Sequence, residues 1–429
     1  MKAVRITIIM LLVIACSSAS VLGNVTTMAV PAAGKADLQR LRWKGKTVRI
    51  ALSNSLTRFS PNIKSDSDVL GAVRRSLQAW SNAADIDLQL EFSDRQSVSP
   101  NGLAGDGVSL ITIAQTPENV LFFAKDYDSA SAKTRIFFNR KDIITEADIV
   151  LNPFQQFSTD GTFGTFDLEA TLTHEIGHLL GLHHLGVLGA TMAESFARNG
   201  TMGFADLGPR SLTESDIAAI RELYGPRIDV VCCSALNGRL IAAAGRPVAG
   251  LQIWAEDTNT GRVMGQADSG PEGVFRIGGL PAGDYSVYWK TKDDLSATAM
   301  GKLGDVTLES NDSKTISEKI SLRPSEITMQ YLGRNGQLAD HGMPLIAGRS
   351  SVINLGGQNL DDPSVKISFS SPLIKVTPIP SAAQEFGEGV SGVSFMVTVD
   401  SDISPGDYSI FVNGKNGLIS CLIGAISVD

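Results

Sequence analysis

Several things are scarce in this chain, and each scarcity excludes a class of protein. Cysteine occurs four times in 429 residues, with none between Cys16 and Cys232, so no disulfide framework can hold the first half together. Aromatic side chains make up only 6% of the chain, which beside 42 glycines suggests much turn-rich β-structure. Positive charge is in deficit, 37 Lys and Arg against 45 Asp and Glu, and a net charge of -8 argues against a nucleic-acid partner. Charged residues at 19% beside hydrophobic residues at 43% exclude a disordered chain. Beyond the N-terminus no apolar run is long enough to cross a bilayer. Histidine is rare as well: there are five, and none precedes His174.

Four of those five histidines lie between 174 and 184. The stretch reads His174-Glu175-Ile176-Gly177-His178-Leu179-Leu180-Gly181-Leu182-His183-His184, or H-E-x-x-H-x-x-G-x-x-H. Five fixed positions arise by chance on the order of once in ten thousand chains of this size. On a helix, positions i and i+4 share a face, so His174 and His178 can reach one metal ion together. Glu175 lies one step round the helix, within reach of a metal-bound water. Gly181 can take the positive φ that ends a helix and turns the chain, returning His184 as a third ligand. Three imidazoles suit a tetrahedral zinc with one position open, and Glu175 suits a general base. His183 fits no ligand slot and reads as a solvated neighbour. Leu172, Ile176, Leu179 and Leu180 would also suit a core helix with buried histidines, but that reading leaves the clustering unexplained.

The extended motif, with Gly189-Ala190-Thr191-Met192 a short way downstream, resembles the metzincin clan of zinc endopeptidases, and among them the matrixins. Arg210 to Gly225 is similar to the closing matrixin helix, with Thr213 and Ser215 as departures and Asp216 matching. The resemblance covers about residues 40–226. It implies that Met192 lies beneath the metal without binding it, and that Asp216 braces the Met192 turn. It implies zinc as cofactor and a peptide or protein substrate that pairs with a sheet edge. The histidines of a second, structural zinc and the cysteine of a latency switch are missing before His174. Ala193-Glu194 replaces the usual residues after Met192. The oxygen-bearing loop Phe157-Ser158-Thr159-Asp160-Gly161 reads either as a solvated turn or as a structural calcium site of the kind matrixins carry.

The flanks complete the expectation. Lys2, Arg5 and the apolar Thr7 to Ala15 read as a secretory signal, residues 1–23. An alternative is a lipid anchor at Cys16, because Val13-Ile14-Ala15-Cys16 resembles a bacterial lipobox. Residues 24–40 read as a leader or short pro-segment. The peptidase-like domain is placed at 41–226: an α+β fold with a twisted, mostly parallel sheet, an antiparallel edge strand and three helices. In it Arg42-Trp43 and Thr47 to Leu52 form the first strand, Val69 to Trp80 a core-facing helix, and Thr134 to Asn152 a hairpin, while Asp167 caps the motif helix. A linker, 227–235, leads to two all-β sandwiches. Residues 236–323 resemble a carboxypeptidase-regulatory-like domain, and residues 324–429 an immunoglobulin-like domain of the IPT/TIG sort. Cys232 or Cys233 could pair with Cys421, or all three could be thiols; His341 reads as surface. The expected protein is a secreted, monomeric zinc endopeptidase whose appended domains bind a cell surface, matrix or carbohydrate. The alternative is an adhesion protein with an incidental metal domain.

Overall fold

The computed structural model describes residues 41–429 apart from 103, 126, 206–207, 293–297, 380–383, 386–388 and 415–416. The signal sequence, Cys16 and the leader lie outside the described residues. The first region opens with β1 (Arg42–Trp43) and β2 (Thr47–Ser53), two strands where the sequence reads as one, because the chain bends at residues 44–46. Then come α1 (Asn54–Thr57), α2 (Val69–Ala83), β3 (Asp87–Ser93), β4 (Ser109–Thr112), α3 (Pro117–Leu121), β5 (Ala132–Phe138) and β6 (Ile143–Leu151). The short pair β7 (Phe157–Ser158) and β8 (Phe166–Asp167) precedes α4 (Leu168–Leu179), and α5 (Glu214–Tyr224) closes the region.

The sheet runs β1-β6-β4-β2-β3 with parallel pairings, and β5 adds to the free side of β6 as an antiparallel edge. Val48, Ile50 and Leu52 alternate inward along β2. Asp68 caps α2 by accepting from Gly71 N–H at 2.9 Å, and the inner face of the helix presents Val73, Leu77 and Trp80. Trp80 is fully buried and donates its indole N–H to Thr173 O at 2.8 Å, so α2 is tied to α4 by a satisfied polar bond inside an apolar contact. Helix α4 is buried along its whole length, and its buried polar residues outside the motif are satisfied: Glu169 accepts from Arg75, Thr171 donates to Asp167 O and Thr173 to Glu169 O.

The second region is two facing sheets. Its strands are β9 (Ser234–Ala242), β10 (Gln252–Asp257), β11 (Val263–Asp268), β12 (Val274–Leu280), β13 (Gly283–Lys290), β14 (Met300–Leu308) and β15 (Ser313–Ile320), ordered β11-β10-β13-β14 and β12-β9-β15. The third region repeats the two-sheet plan. Its strands are β16 (Thr328–Arg334), β17 (Gln337–Ala339), β18 (Met343–Leu345), β19 (Ser350–Gln358), β20 (Lys366–Phe369), β21 (Ile374–Pro378), β22 (Gln384–Glu385), β23 (Ser391–Val399), β24 (Gly406–Gly414) and β25 (Gly417–Val428). They form β17-β16-β19-β23-β21, with β22 on β23, and β18-β25-β24-β20.

The cores cross the region boundaries. Ala218 of α5 belongs to the core of the second region, while Ile220 of the same helix belongs to that of the first. Met202, on a turn between α4 and α5, is buried in the core of the third region. Two expectations are corrected. Cys232 and Cys233 form a disulfide with each other, and Cys421 is buried among apolar neighbours, so neither links to it. His341 is buried rather than on the surface, because the loop that carries it packs against Leu188 and Gly189 of the first region.

Candidate metal centre

Helix α4 starts where Asp167 accepts the N–H of Ala170 at 2.8 Å, and both oxygens of that carboxylate also accept from Arg210, Oδ1 from Nε and Oδ2 from Nη2. His174 and His178 follow one turn apart. The helix ends at Gly181, which holds φ +98°, and a side chain there would also strike Leu41 O. The end is pinned by Trp43, whose indole donates to Leu179 O at 2.9 Å, and by Tyr224, whose hydroxyl donates to Leu180 O at 2.6 Å. The chain then turns and brings His184 back toward the helix.

The ligand atoms of His174, His178 and His184 all lie within 4.8 Å of one another. His178 Nε2 and His184 Nε2 are 3.1 Å apart. His174 Nδ1 donates to Thr191 O at 2.7 Å, and His178 Nδ1 donates to Leu182 O at 2.8 Å. Those carbonyls only accept, so each ring carries its proton on Nδ1 and turns a bare Nε2 lone pair inward. His174 Nε2 is buried with no hydrogen-bond partner. Burial pushes the imidazoles toward their neutral form, His174 down to about 3 and His184 to about 4. Neutral rings whose ligand nitrogens converge are a donor set that fits a divalent transition metal. His183 is exposed and does not belong to the trio.

Glu175 is fully buried. Its Oε2 accepts from Thr134 Oγ1 at 2.5 Å, and its Oε1 has no partner. Burial pushes this carboxyl up to about 8, against the pull of the Thr134 hydroxyl. Beneath the histidines, Met192 is completely buried, and Asp216 accepts both Thr191 N–H at 2.9 Å and Met192 N–H at 3.0 Å. Sequence reasoning missed three contributors. Thr134 sits on the edge strand β5. Phe196 meets the His174 ring edge-on at 4.7 Å between centroids. Gly177 is required because a Cβ there would lie 2.3 Å from Met192 Sδ and 2.8 Å from the Trp80 ring. Only for Gly177 was there a signal, a glycine in mid-helix with no local reason to be there.

The site opens beside His184 into a cleft of about 470 Å³, walled by Glu194 and Ser195, by Gln252 and Lys292 of the second region, and by Tyr331 and Asp340 of the third. In the loop at 157–161, Asp160 is already engaged by Lys64 at 2.6 Å and by the Thr162 hydroxyl.

A helix-borne histidine pair, a third histidine returned by a left-handed glycine and a methionine turn beneath them define the metzincin class of metallopeptidase domain. Comparison with known proteins sharpens this: residues 42–225 match the family described as Matrixin, and residues 235–320 match the carboxypeptidase regulatory-like domain. The chain therefore carries a matrixin domain followed by a carboxypeptidase regulatory-like domain. Matrixins are zinc-dependent. Metalloendoproteinase 1 of Glycine max is 26% identical over 200 residues, 43% of this chain and 53% of that protein. Matrix metalloproteinase-19 of Homo sapiens is 24% identical over 292 residues, 58% of this chain and 47% of that protein. Matrilysin of Mus musculus is 39% identical over 72 residues, 17% of this chain and 25% of that protein. The chain thus spans about half or less of the length of these relatives. At the level of family, these matches support a metalloendopeptidase.

Proposed function

We propose that the protein is a secreted zinc endopeptidase that cleaves extracellular polypeptides, with domains at 41–226, 236–323 and 324–429. The observation that carries this reading is the convergence of three Nε2 lone pairs, with a buried carboxylate on the same helix. His174, His178 and His184 hold the zinc. When bound, zinc supplies Lewis acidity, lowering the pKa of water and polarising a peptide carbonyl. Glu175 is the general base: its Oε1 has no partner in the protein and takes the proton of the attacking water, then gives it to the departing amine. Thr134 holds Oε2 and so fixes the direction of Oε1. The β5 edge, next to α4, offers backbone groups to an extended substrate by strand addition. The third domain is read as an IPT/TIG-like sandwich. Calcium at 157–161 is not part of the proposal, because Asp160 is occupied by Lys64. The adhesion reading draws nothing from a site whose base is intact and oriented.

Purified protein should contain about one zinc per chain and digest casein or gelatin. Glu175→Gln should keep the metal and lose about 10²- to 10⁴-fold in rate, the usual contribution of a positioned general base. Full activity in that variant, or a wild-type chain that takes up no transition metal, would overturn the assignment.

A further inference from the structure

The segment joining the third imidazole to the methionine turn is not a surface loop. Val187 and Ala190 are completely buried in an apolar cluster that includes Trp254 and Val263 of the second region and Phe411 and Ile423 of the third. Leu188 N–H donates to Ile423 O and Gly189 N–H to Gly424 O, both at 2.9 Å, and Gly342 N–H donates to Leu188 O at 3.0 Å. From the other side, Gly186 N–H donates to Gln266 Oε1 at 3.3 Å. The backbones approach so closely that glycine is needed. A Cβ on Gly342 would lie 2.7 Å from Leu188 O and 2.9 Å from Gly189 Cα. One on Gly424, where φ is +54°, would lie 2.4 Å from Val187 Cγ1.

The clamped residues act directly on the site. Leu185 N–H donates to Met192 O at 2.7 Å, closing the segment on itself, and Thr191 O is the acceptor that orients His174. One short segment thus carries one ligand and aims another. An unsupported connection of this length would be the most mobile part of the fold, and a ligand on it would have to be ordered when the metal binds. Here both C-terminal regions order it beforehand.

We propose that the second and third regions are structural parts of the metal centre: by clamping residues 185–190 they position His184 and the Thr191 carbonyl, with Gly342 and Gly424 as positioning residues. This rests on the metal-binding reading of the site but not on peptide hydrolysis.

The test uses the full chain. Zinc affinity is measured by competition with a chromophoric chelator, and coordination geometry by the visible spectrum of the cobalt-substituted protein. Gly342→Ala and Gly424→Ala press on the clamp. Gly348→Ala is the control: it lies in the same region with φ +73°, and a Cβ there meets nothing nearer than 3.7 Å, so it strains only its own backbone. The clamp variants should lose about 10- to 100-fold in zinc affinity, as outer supports of a metal site do, with an altered cobalt spectrum. Gly348→Ala should bind zinc like wild type even where its thermal stability falls. If Gly342→Ala does not fold, Gly424→Ala decides alone. Clamp variants that hold zinc as tightly as Gly348→Ala overturn the proposal. A wild-type chain without zinc affinity overturns it too, but by removing the site itself, which the wild-type titration reveals.

Discussion

Burial acts on the charged groups of the site in one direction, toward neutrality. For the histidines this helps, since a neutral ring is the ligand form and stays so down to about 3 at His174 and about 4 at His184. For Glu175, raised to about 8, it would be a handicap, because a base must be ionised. Two things oppose it, the Thr134 hydroxyl, which bonds the carboxylate at 2.5 Å, and the positive charge of Lys133; a cation on the proposed histidine site would act in the same direction. Thr134→Val keeps the shape and removes that donor. A hydrogen bond to a charged group is worth about 1.5–3 kcal/mol, so kcat/KM should fall at least about tenfold. The hydroxyl lowers the carboxyl's pKa, so its loss raises it, and the acid limb of the pH–rate profile should move to higher pH. An unmoved limb would mean that Thr134 does not act through Glu175.

At the level of elements, what could be read in the sequence was what is local along the chain. His174, His178 and Gly181 are spaced by helix geometry, Asp167 sits one residue before its helix, and Asp216 lies within a run that could be matched position by position. Val69 to Trp80 shows its buried face by periodicity alone. Partners set by long-range packing left no such trace. Thr134 is 41 residues from Glu175 on a different element, the lone-looking His341 is buried by a loop it does not adjoin in sequence, and Cys232 bonds its immediate neighbour rather than a distant cysteine. Gly177 stands between the two cases. Helix α4 crosses Met192 and Trp80 so closely there that a methyl group has no room. Gly177→Ala should lose about 1–3 kcal/mol to overpacking, only partly offset by the roughly 1 kcal/mol by which a helix prefers alanine. Urea unfolding of the metal-free chain checks this, and a variant as stable as wild type would show that Met192 can step aside without cost.

Across the whole molecule, the three regions share their cores. Helix α5 serves two of them at once: Asp216 holds the turn beneath the histidines, Ala218 enters the second region, and Glu222 pairs with Arg276 at 2.7 Å. The third region meets the same turn through Asp407, which is buried beside Gly189 and accepts from Ser427 Oγ at 2.7 Å, while its other oxygen has no partner. Desolvation, opposed by the Ser427 bond and reinforced by the nearby Asp216, Asp429 and Glu214 carboxylates, pushes Asp407 up to about 7 from an ordinary 3.8. Between those values the folded chain holds a proton that the unfolded chain has released. Stability from this group is therefore full below about 3.8 and is lost as pH rises through about 7. Buried Glu256 of the second region, also raised to about 7, adds a slope of the same sign. Asp148, raised to about 7, and Glu175, raised to about 8, act in the same sense, and Asp407→Asn removes one of these contributions. Urea midpoints of the full chain, taken with a chelator present from pH 4 to 8, should fall less steeply with pH in Asp407→Asn than in wild type, and the variant should be the more stable of the two at pH 8. Parallel slopes would mean that the carboxylate is not buried and protonated at the junction, and that the third region sits more loosely on the methionine turn than its backbone bonds to Leu188 and Gly189 require.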